Sequence, residues 1–351
     1  MVSGYRNSKV LVTGGLGFIG SNLALRLASL GADVTVVDSC VTGCGANPWN
    51  LRSAAAHIGV IGADIADAAM FASEIRSSHV VFNVAGEISH VESMRQPSRD
   101  QDLNATAQLR FLEECARHNP GCRVVYASTR QIYGAPRYLP VDENHPIQPL
   151  DFNGIHKYAA TAYHQVFTSS GALDAVVLCL TNVYGPRMAL NLPSQGFLGW
   201  FLRKALLGEA IQVFGDGCQL RDPVYVDDVV DALLLAGAVR NLRSRLWNVG
   251  GSETLAISAV ARMISSAAGA PPPVFTPFPK ELKNIDIGSY YSDSSRIRAE
   301  LGWLPRISFK RGVRLSLDFY RRELPHYLNG ADYEPAALDD WSAARPQPLA
   351  V

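Results

Sequence analysis

Hydrophobic and polar positions change their rhythm repeatedly along the first half of the chain. Short continuous runs rich in Val, Ile and Leu recur at "KVLVT" (Lys9–Thr13), "DVTVVD" (Asp33–Asp38), "VVFNVA" (Val80–Ala85), "RVVYAS" (Arg123–Ser128) and "DAVVLCLT" (Asp174–Thr181). Runs that are apolar at every position, bounded by Gly and polar residues, predict strands buried on both faces. Between them lie stretches with helical spacing of apolar residues, such as 17–30 and 100–118. Strands alternating with helices predict an α/β fold, a Rossmann-type doubly wound parallel sheet.

After Tyr184 the pattern changes. Segments dense in Gly and Pro, "YGPRMALNLPSQG" and "GAPPPVFTPFPKE", surround single helices. "DPVYVDDVVDALLLA" and "LWNVG" then return to the rhythm of the main sheet. We therefore expect one domain over 1–184 plus 220–249. A smaller, discontinuous C-terminal substrate domain is expected over 185–219 plus 250–324, and a loose, polar tail over 325–351.

Composition narrows the function. Lys plus Arg and Asp plus Glu each total 32, so the formal net charge is zero. A balanced chain argues against nucleic acid or an anionic membrane as partner, and any cation for a charged ligand must be local. No apolar run has the ~18–20 residues of a membrane span. The opening "MVSGYRNSKV" lacks the apolar core of a signal peptide. The 6 cysteines form no CxxC pair, and no metal site is expected. A reduced, cytoplasmic protein is the simple expectation.

The most informative local chemistry is "VLVTGGLGFIG". Gly14, Gly17 and Gly20 stand where a strand passes into a helix. Glycines permit the tight turn and the close approach of a pyrophosphate to the helix N-terminus. Phe18 and Ile19 belong to the same turn. Asp38 ends the second strand, where a carboxylate accepts ribose hydroxyls and repels a 2′-phosphate, so NAD is expected rather than NADP. Asp64, followed by Ile65, either meets the adenine amino group or caps the next helix. Ala85, at the end of the fourth strand, completes the expected cofactor set.

These segments together resemble the extended short-chain dehydrogenase/reductases, specifically the nucleotide-sugar epimerases and dehydratases. The resemblance rests on "TGGLGFIG", "YASTRQIYG", "LTNVYGPR" and "QVFGDGCQLRDPVYVDDVVDA" and runs from about Lys9 to Tyr320. It implies that Thr129 stands beside the reacting sugar hydroxyl, with Arg130 following. It implies further that Asn182 lies near the sugar or diphosphate, and that Arg221 holds the diphosphate. Arg187, Lys283 and Phe214 are further substrate-binding candidates, the cations for phosphate and Phe214, like Trp200, for the base. The commoner fate of each is a solvated surface charge or a core aromatic. "QGFLGWF" resembles CDP-tyvelose 2-epimerases, so the ligand is expected to be a UDP-, dTDP- or CDP-sugar.

The family helix carries Tyr, three residues, then Lys. Here "DFNGIHKYAA" keeps the Lys as Lys157 but has Asn153 in place of Tyr. An amide neither gains nor loses a proton near neutral pH. Asn153 still shares a helix face with Lys157, whereas Tyr158 points elsewhere. The absence of an Asp–Glu pair after Thr129 argues against 4,6-dehydration. His90 and Glu87, in "AGEISHVESM", follow the fourth strand at the cofactor edge and are the candidate proton acceptors. The expected activity is NAD-dependent epimerisation of an NDP-hexose through a transient keto sugar. Dehydration, decarboxylation or net oxidation on the same scaffold is an alternative. Another is a non-catalytic protein that binds NAD and a sugar nucleotide. The apolar helices 100–118 and 155–169 predict a homodimer.

Overall fold

A computed structural model describes residues 4–328. Its centre is a seven-stranded parallel sheet. The strands are β1 (Lys9–Thr13), β2 (Asp33–Asp38), β3 (Ile58–Gly62), β4 (Val80–Asn83), β5 (Arg123–Thr129), β6 (Asp174–Leu180) and β7 (Leu246–Val249). Their spatial order is β7-β6-β5-β4-β1-β2-β3. After β3 the chain crosses back to place β4 on the other side of β1. That reversal opens a crevice at the carboxyl ends of the strands, the usual ligand position in such sheets.

The uninterrupted apolar strands cover both faces. In β1, Val10 and Val12 point to one side, where Leu23 and Leu27 of α1 (Phe18–Ser29) pack. Leu11 points to the other, against Phe111 and Leu112 of α2 (Ala107–His118). Each such side chain contributes about 1.5–3 kcal/mol by leaving water. The helix α3 (Phe152–Ser169) lies against β5 and β6, and α4 (Val226–Ala238) is buried along one face by Val229, Leu233 and Ala236.

Three boundaries differ from the sequence expectation. β4 stops at Asn83, not Ala85, because the chain turns out through Gly86, whose φ is 148°. The helix expected over 100–118 is interrupted: a short helix at Pro97–Gln101 is followed by a π turn at Asp102–Thr106 before α2 begins. An i→i+5 turn inserts one residue and rotates what precedes it, a feature frequent at functional sites. The expected loose tail begins as a packed turn, Pro325–Leu328. There the Tyr327 hydroxyl donates to Asn50 Oδ1 at 2.6 Å. Residues 329–351 lie outside the described residues.

Between and beyond β6 and β7, short strand pairs replace the main sheet: Val183–Tyr184 with Val224–Tyr225, Leu220–Arg221 with Leu255–Ala256, and Gln212–Phe214 with Val274–Thr276. These hold Arg221 and the segment around Tyr290 against the end of β5.

Candidate active site

The crevice beside β1 and β4 is lined by Gly14, Gly17, Gly20, Asp38, Asp64 and Ala85, with Phe18, Ile19 and Ile65. Gly20 is needed sterically: a Cβ there would run into the Gly14 carbonyl oxygen. Asp38 accepts the backbone N–H of Leu16 at 3.0 Å and of Cys40 at 2.9 Å, one on each oxygen. A carboxylate has about four acceptor positions, so lone pairs remain for ribose hydroxyls. Burial pushes the Asp38 carboxyl up, against those N–H bonds. Asp64 does what a helix cap does, accepting Ala66 N–H at 2.8 Å, and also lines the crevice. A glycine turn, a helix N-terminus and a carboxylate at the end of β2 fit the pyrophosphate and adenosine ribose of NAD.

Lys157 is buried behind Gly86 of the crevice lining, with its Nζ 5.7 Å from the Tyr126 ring centroid. Gly86 leaves room for it, since a Cβ there would strike the Lys157 Nζ. Burial pulls the Lys157 ammonium down from its ordinary 10.5 to about 8, with Asp100 and Glu87 pulling the other way.

Asn153 occupies the expected face of α3, but its amide is tied down. Nδ2 donates to the Glu87 carbonyl and to Asp100 Oδ2, both at 3.0 Å. Asp100 Oδ1 lies 2.7 Å from His156 Nδ1. Both Asn153 donors therefore face acceptors, and only its Oδ1 remains to receive a hydrogen bond.

The two base candidates part company. Glu87 lines the cofactor crevice with three of its about four acceptor positions in use: Oε1 accepts Ile88 and Ser89 N–H at 2.8 and 2.9 Å, and Oε2 accepts the Cys44 thiol at 2.9 Å. That set makes it an anchor of the loop, with one acceptor position left on Oε2. His90 opens the helix His90–Arg95, with Nδ1 3.1 Å from Asp151 Oδ2. Gln131 Nε2 donates to that same Asp151 oxygen at 2.9 Å, and Thr129 Oγ1 accepts Gln131 N–H at 3.2 Å. Gln131 thus ties Thr129 to Asp151, and His90 Nδ1 stands close to that carboxylate without the geometry of a hydrogen bond. Burial opposes ionisation of Asp151, but His90, Gln131 and the Gly154 N–H outweigh it and hold the carboxyl below its usual range.

The substrate candidates divide as well. Arg130 and Arg221 are both buried next to the end of β5. Asn182 has a buried Oδ1 with no partner, a vacancy that suits a ligand hydroxyl. Arg187 is instead a structural tie. Its guanidinium donates to Asn22 Oδ1 at 2.8 Å and to the Asn50 carbonyl at 3.3 Å, and lies 5.3 Å over Phe319. Lys283 is exposed on the turn Lys280–Ile285. Phe214 is partly exposed with Phe278 at 6.1 Å, while Trp200 carries Arg203 and Lys204 over its ring.

Asp100, His156 and Asp151 escaped the sequence reading as site residues. For Asp151 a cue existed, because an Asp just before a helix is a cap, and it does accept Gly154 N–H at 2.7 Å. Nothing local marks Asp100 or His156.

Comparison with known proteins agrees with this geometry. The model of the NAD dependent epimerase/dehydratase family matches residues 10–250. The chain is 32% identical over 321 residues to the UDP-glucose 4-epimerase of Mycolicibacterium smegmatis, covering 90% of this chain and 99% of that one. Identity to the CDP-paratose 2-epimerase of Salmonella typhi is 27% over 338 residues, with 89% and 98% covered. The fold matches the crystal structure of a UDP-glucose 4-epimerase from Thermotoga maritima with UDP-glucose at a TM-score of 0.81. That match has 30% identity and covers 90% of this chain and 99% of the other.

Proposed function

Because this chain belongs to the NAD-dependent epimerase/dehydratase family, we propose that it is an NDP-sugar epimerase that keeps NAD bound and recycles it. The observation that carries this reading is the convergence of the NAD crevice, Lys157 and the Thr129 segment at one edge of the sheet. NAD supplies the hydride acceptor and donor. The chain must supply a proton acceptor for the sugar hydroxyl, a seat for the ring and a dry enclosure.

We assign the proton to His90 Nε2. Asp151, 3.1 Å from Nδ1, is placed to orient the ring, as a carboxylate does for a general-base histidine. Thr129 holds the reacting hydroxyl. Asn153, with both N–H groups occupied, receives a hydrogen bond at Oδ1 and so positions a second hydroxyl. It cannot move a proton. Lys157, with its proton held only to about 8, is the second reading for the base, since catalytic proton affinities work best near the operating pH.

The experiment is turnover of the NAD-loaded protein across UDP-, dTDP- and CDP-hexoses, with epimers separated chromatographically and the reduced-nicotinamide absorbance followed. His90→Ala is expected to lower turnover about 10²–10⁴-fold with NAD still bound. Full turnover in His90→Ala together with loss in Lys157→Met would transfer the role to Lys157. Tight sugar-nucleotide binding without product or absorbance change in the unaltered protein would establish a non-catalytic binder. We also propose a homodimer through α3, whose Phe152, Ile155, Tyr158 and Val166 leave an exposed apolar stripe, Val166 being 62% exposed.

A further inference from the structure

The hydrogen bonds of Asn153 fix the polarity of its side chain as well as its place. Nδ2 faces the main-chain carbonyl of Glu87 and Asp100 Oδ2, each at 3.0 Å. A peptide carbonyl only accepts, and so does a carboxylate. Turning the amide over would set Oδ1 against both of them, so the surroundings dictate which way it points. Asp100 is itself held: it is buried, and its Oδ1 lies 2.7 Å from His156 Nδ1. Among the described residues nothing donates to Asn153 Oδ1. One turn along α3, Lys157 shares the same helix face. On that side of the site the chain therefore offers a fixed acceptor and no donor.

Thr129 has the opposite polarity. Its Oγ1 accepts Gln131 N–H at 3.2 Å, and its own hydrogen has no acceptor among the described residues. A hydroxyl hydrogen rotates to suit its partner, so Thr129 is able to donate.

Oxidation of a sugar carbon separates the two positions. The C–H bond gives its hydride to NAD, the O–H gives its proton to a base, and C–OH becomes C=O. A hydroxyl has one hydrogen. Donated to Asn153 Oδ1, that hydrogen is turned away from any base, and an amide oxygen does not take it. The ketone that forms is an acceptor only. Beside Asn153 Oδ1 it would meet a second acceptor with no hydrogen between them, and both would be left unsatisfied. Beside Thr129 the same oxygen gains a donor.

We propose that Asn153 receives a sugar hydroxyl that does not react, that Asp100 is the positioning residue which sets this polarity, and that hydride leaves a different ring carbon, the one whose oxygen lies at Thr129. The assignment rests on the epimerase reading above. It also narrows the ligand: the hexose carries a free hydroxyl opposite Asn153 in addition to the one that reacts, and a sugar with a ketone or carboxylate at that position is rejected.

The test uses the NAD-loaded protein with UDP-glucose and the analogues carrying fluorine in place of each sugar hydroxyl in turn (or the dTDP or CDP series, if that base binds best). Fluorine fills the place of a hydroxyl and cannot donate. Calorimetry is expected to show one position at which fluorine weakens binding about tenfold or more in the unaltered protein, and about threefold or less in Asn153→Ala. The carbon inverted in the product, identified by NMR, is expected to be a different one. Coincidence of the two carbons overturns the proposal. So does the absence of any fluorine penalty that depends on Asn153, which leaves the epimerase reading intact. No turnover with any sugar overturns that reading and the hydride assignment together, while the fluorine series still decides the polarity of Asn153. Asp100→Asn gives a second readout, because it replaces one of two acceptor oxygens with a donor and frees the Asn153 amide to turn. The fluorine penalty is then expected to fall to about threefold or less, with affinity for UDP unchanged. A merely structural Asp100 would weaken every ligand alike and leave the fluorine ratio as it was, and that result would sink its positioning role. If Asp100→Asn does not fold, Asn153→Ala judges the proposal by itself.

Discussion

Lys157→Met is expected to remove turnover while stabilising the ligand-free protein near neutral pH. Lys157 is 5% exposed, and burial sets its proton affinity at about 8 where an unfolded chain holds 10.5, against the opposing pull of Asp100 and Glu87. Below about 8 both states are protonated and the folded state carries the whole cost of a buried charge. Between about 8 and 10.5 the unfolded state binds more protons, so stability rises with pH. Above that window both states are neutral and the cost is gone. The interval, at about 1.36 kcal/mol per pH unit, corresponds to about 3 kcal/mol. Methionine keeps the length of the side chain without the charge, so its stability should not follow this titration. Urea unfolding of the NAD-free protein and the variant, in parallel from about pH 7 to about pH 10, isolates the Lys157 contribution, since most other groups titrate alike in both. The variant's advantage should shrink by up to about 3 kcal/mol as pH rises. A difference flat across that range would refute the reasoning, because a lysine solvated in the folded state has no such linkage.

Other expectations follow from the same contacts. Asp38→Ala should weaken NAD binding by about 1–3 kcal/mol through lost charge-assisted bonds; calorimetry finding NADP bound more tightly than NAD by the unaltered protein would contradict the role given to Asp38. Asp100→Ala leaves Asn153 Nδ2 and His156 Nδ1 each short of an acceptor. It should cost about 1–3 kcal/mol for each donor stranded, read as a lower denaturant midpoint; an unmoved midpoint would mean that the network does not hold the site together. Val166→Arg should convert a dimer to a monomer in sedimentation at micromolar protein. An unaltered protein already monomeric there would dismiss the α3 interface.

Local sequence was enough for the scaffold and the cofactor edge. Strands buried on both faces must be apolar at every position, so β1, β2 and β5 stand out as runs. The turn into α1 tolerates no side chain at Gly20, so its glycines mark it without knowledge of the fold. Asp38 is legible because it ends the second strand, and the structure places it on the crevice wall. Sequence alone also registered that Asn153 replaces a phenol. Tertiary structure decided what Asn153 touches. Asp100 meets Asn153 across 53 positions, from a helix that a π turn rotates out of the phase expected for 100–118. Glu87 is a candidate acid in sequence, and the structure shows the loop's own N–H groups and Cys44 donating to it. Arg187 and Arg221 are both substrate candidates in sequence, and only the structure shows that Arg187 is held by Asn22 and the Asn50 carbonyl and Arg221 by main-chain carbonyls alone. Backbone periodicity follows from neighbours in the chain and can be read there. The partner of a buried charge depends on helix phase and loop path, which distant parts of the chain determine together.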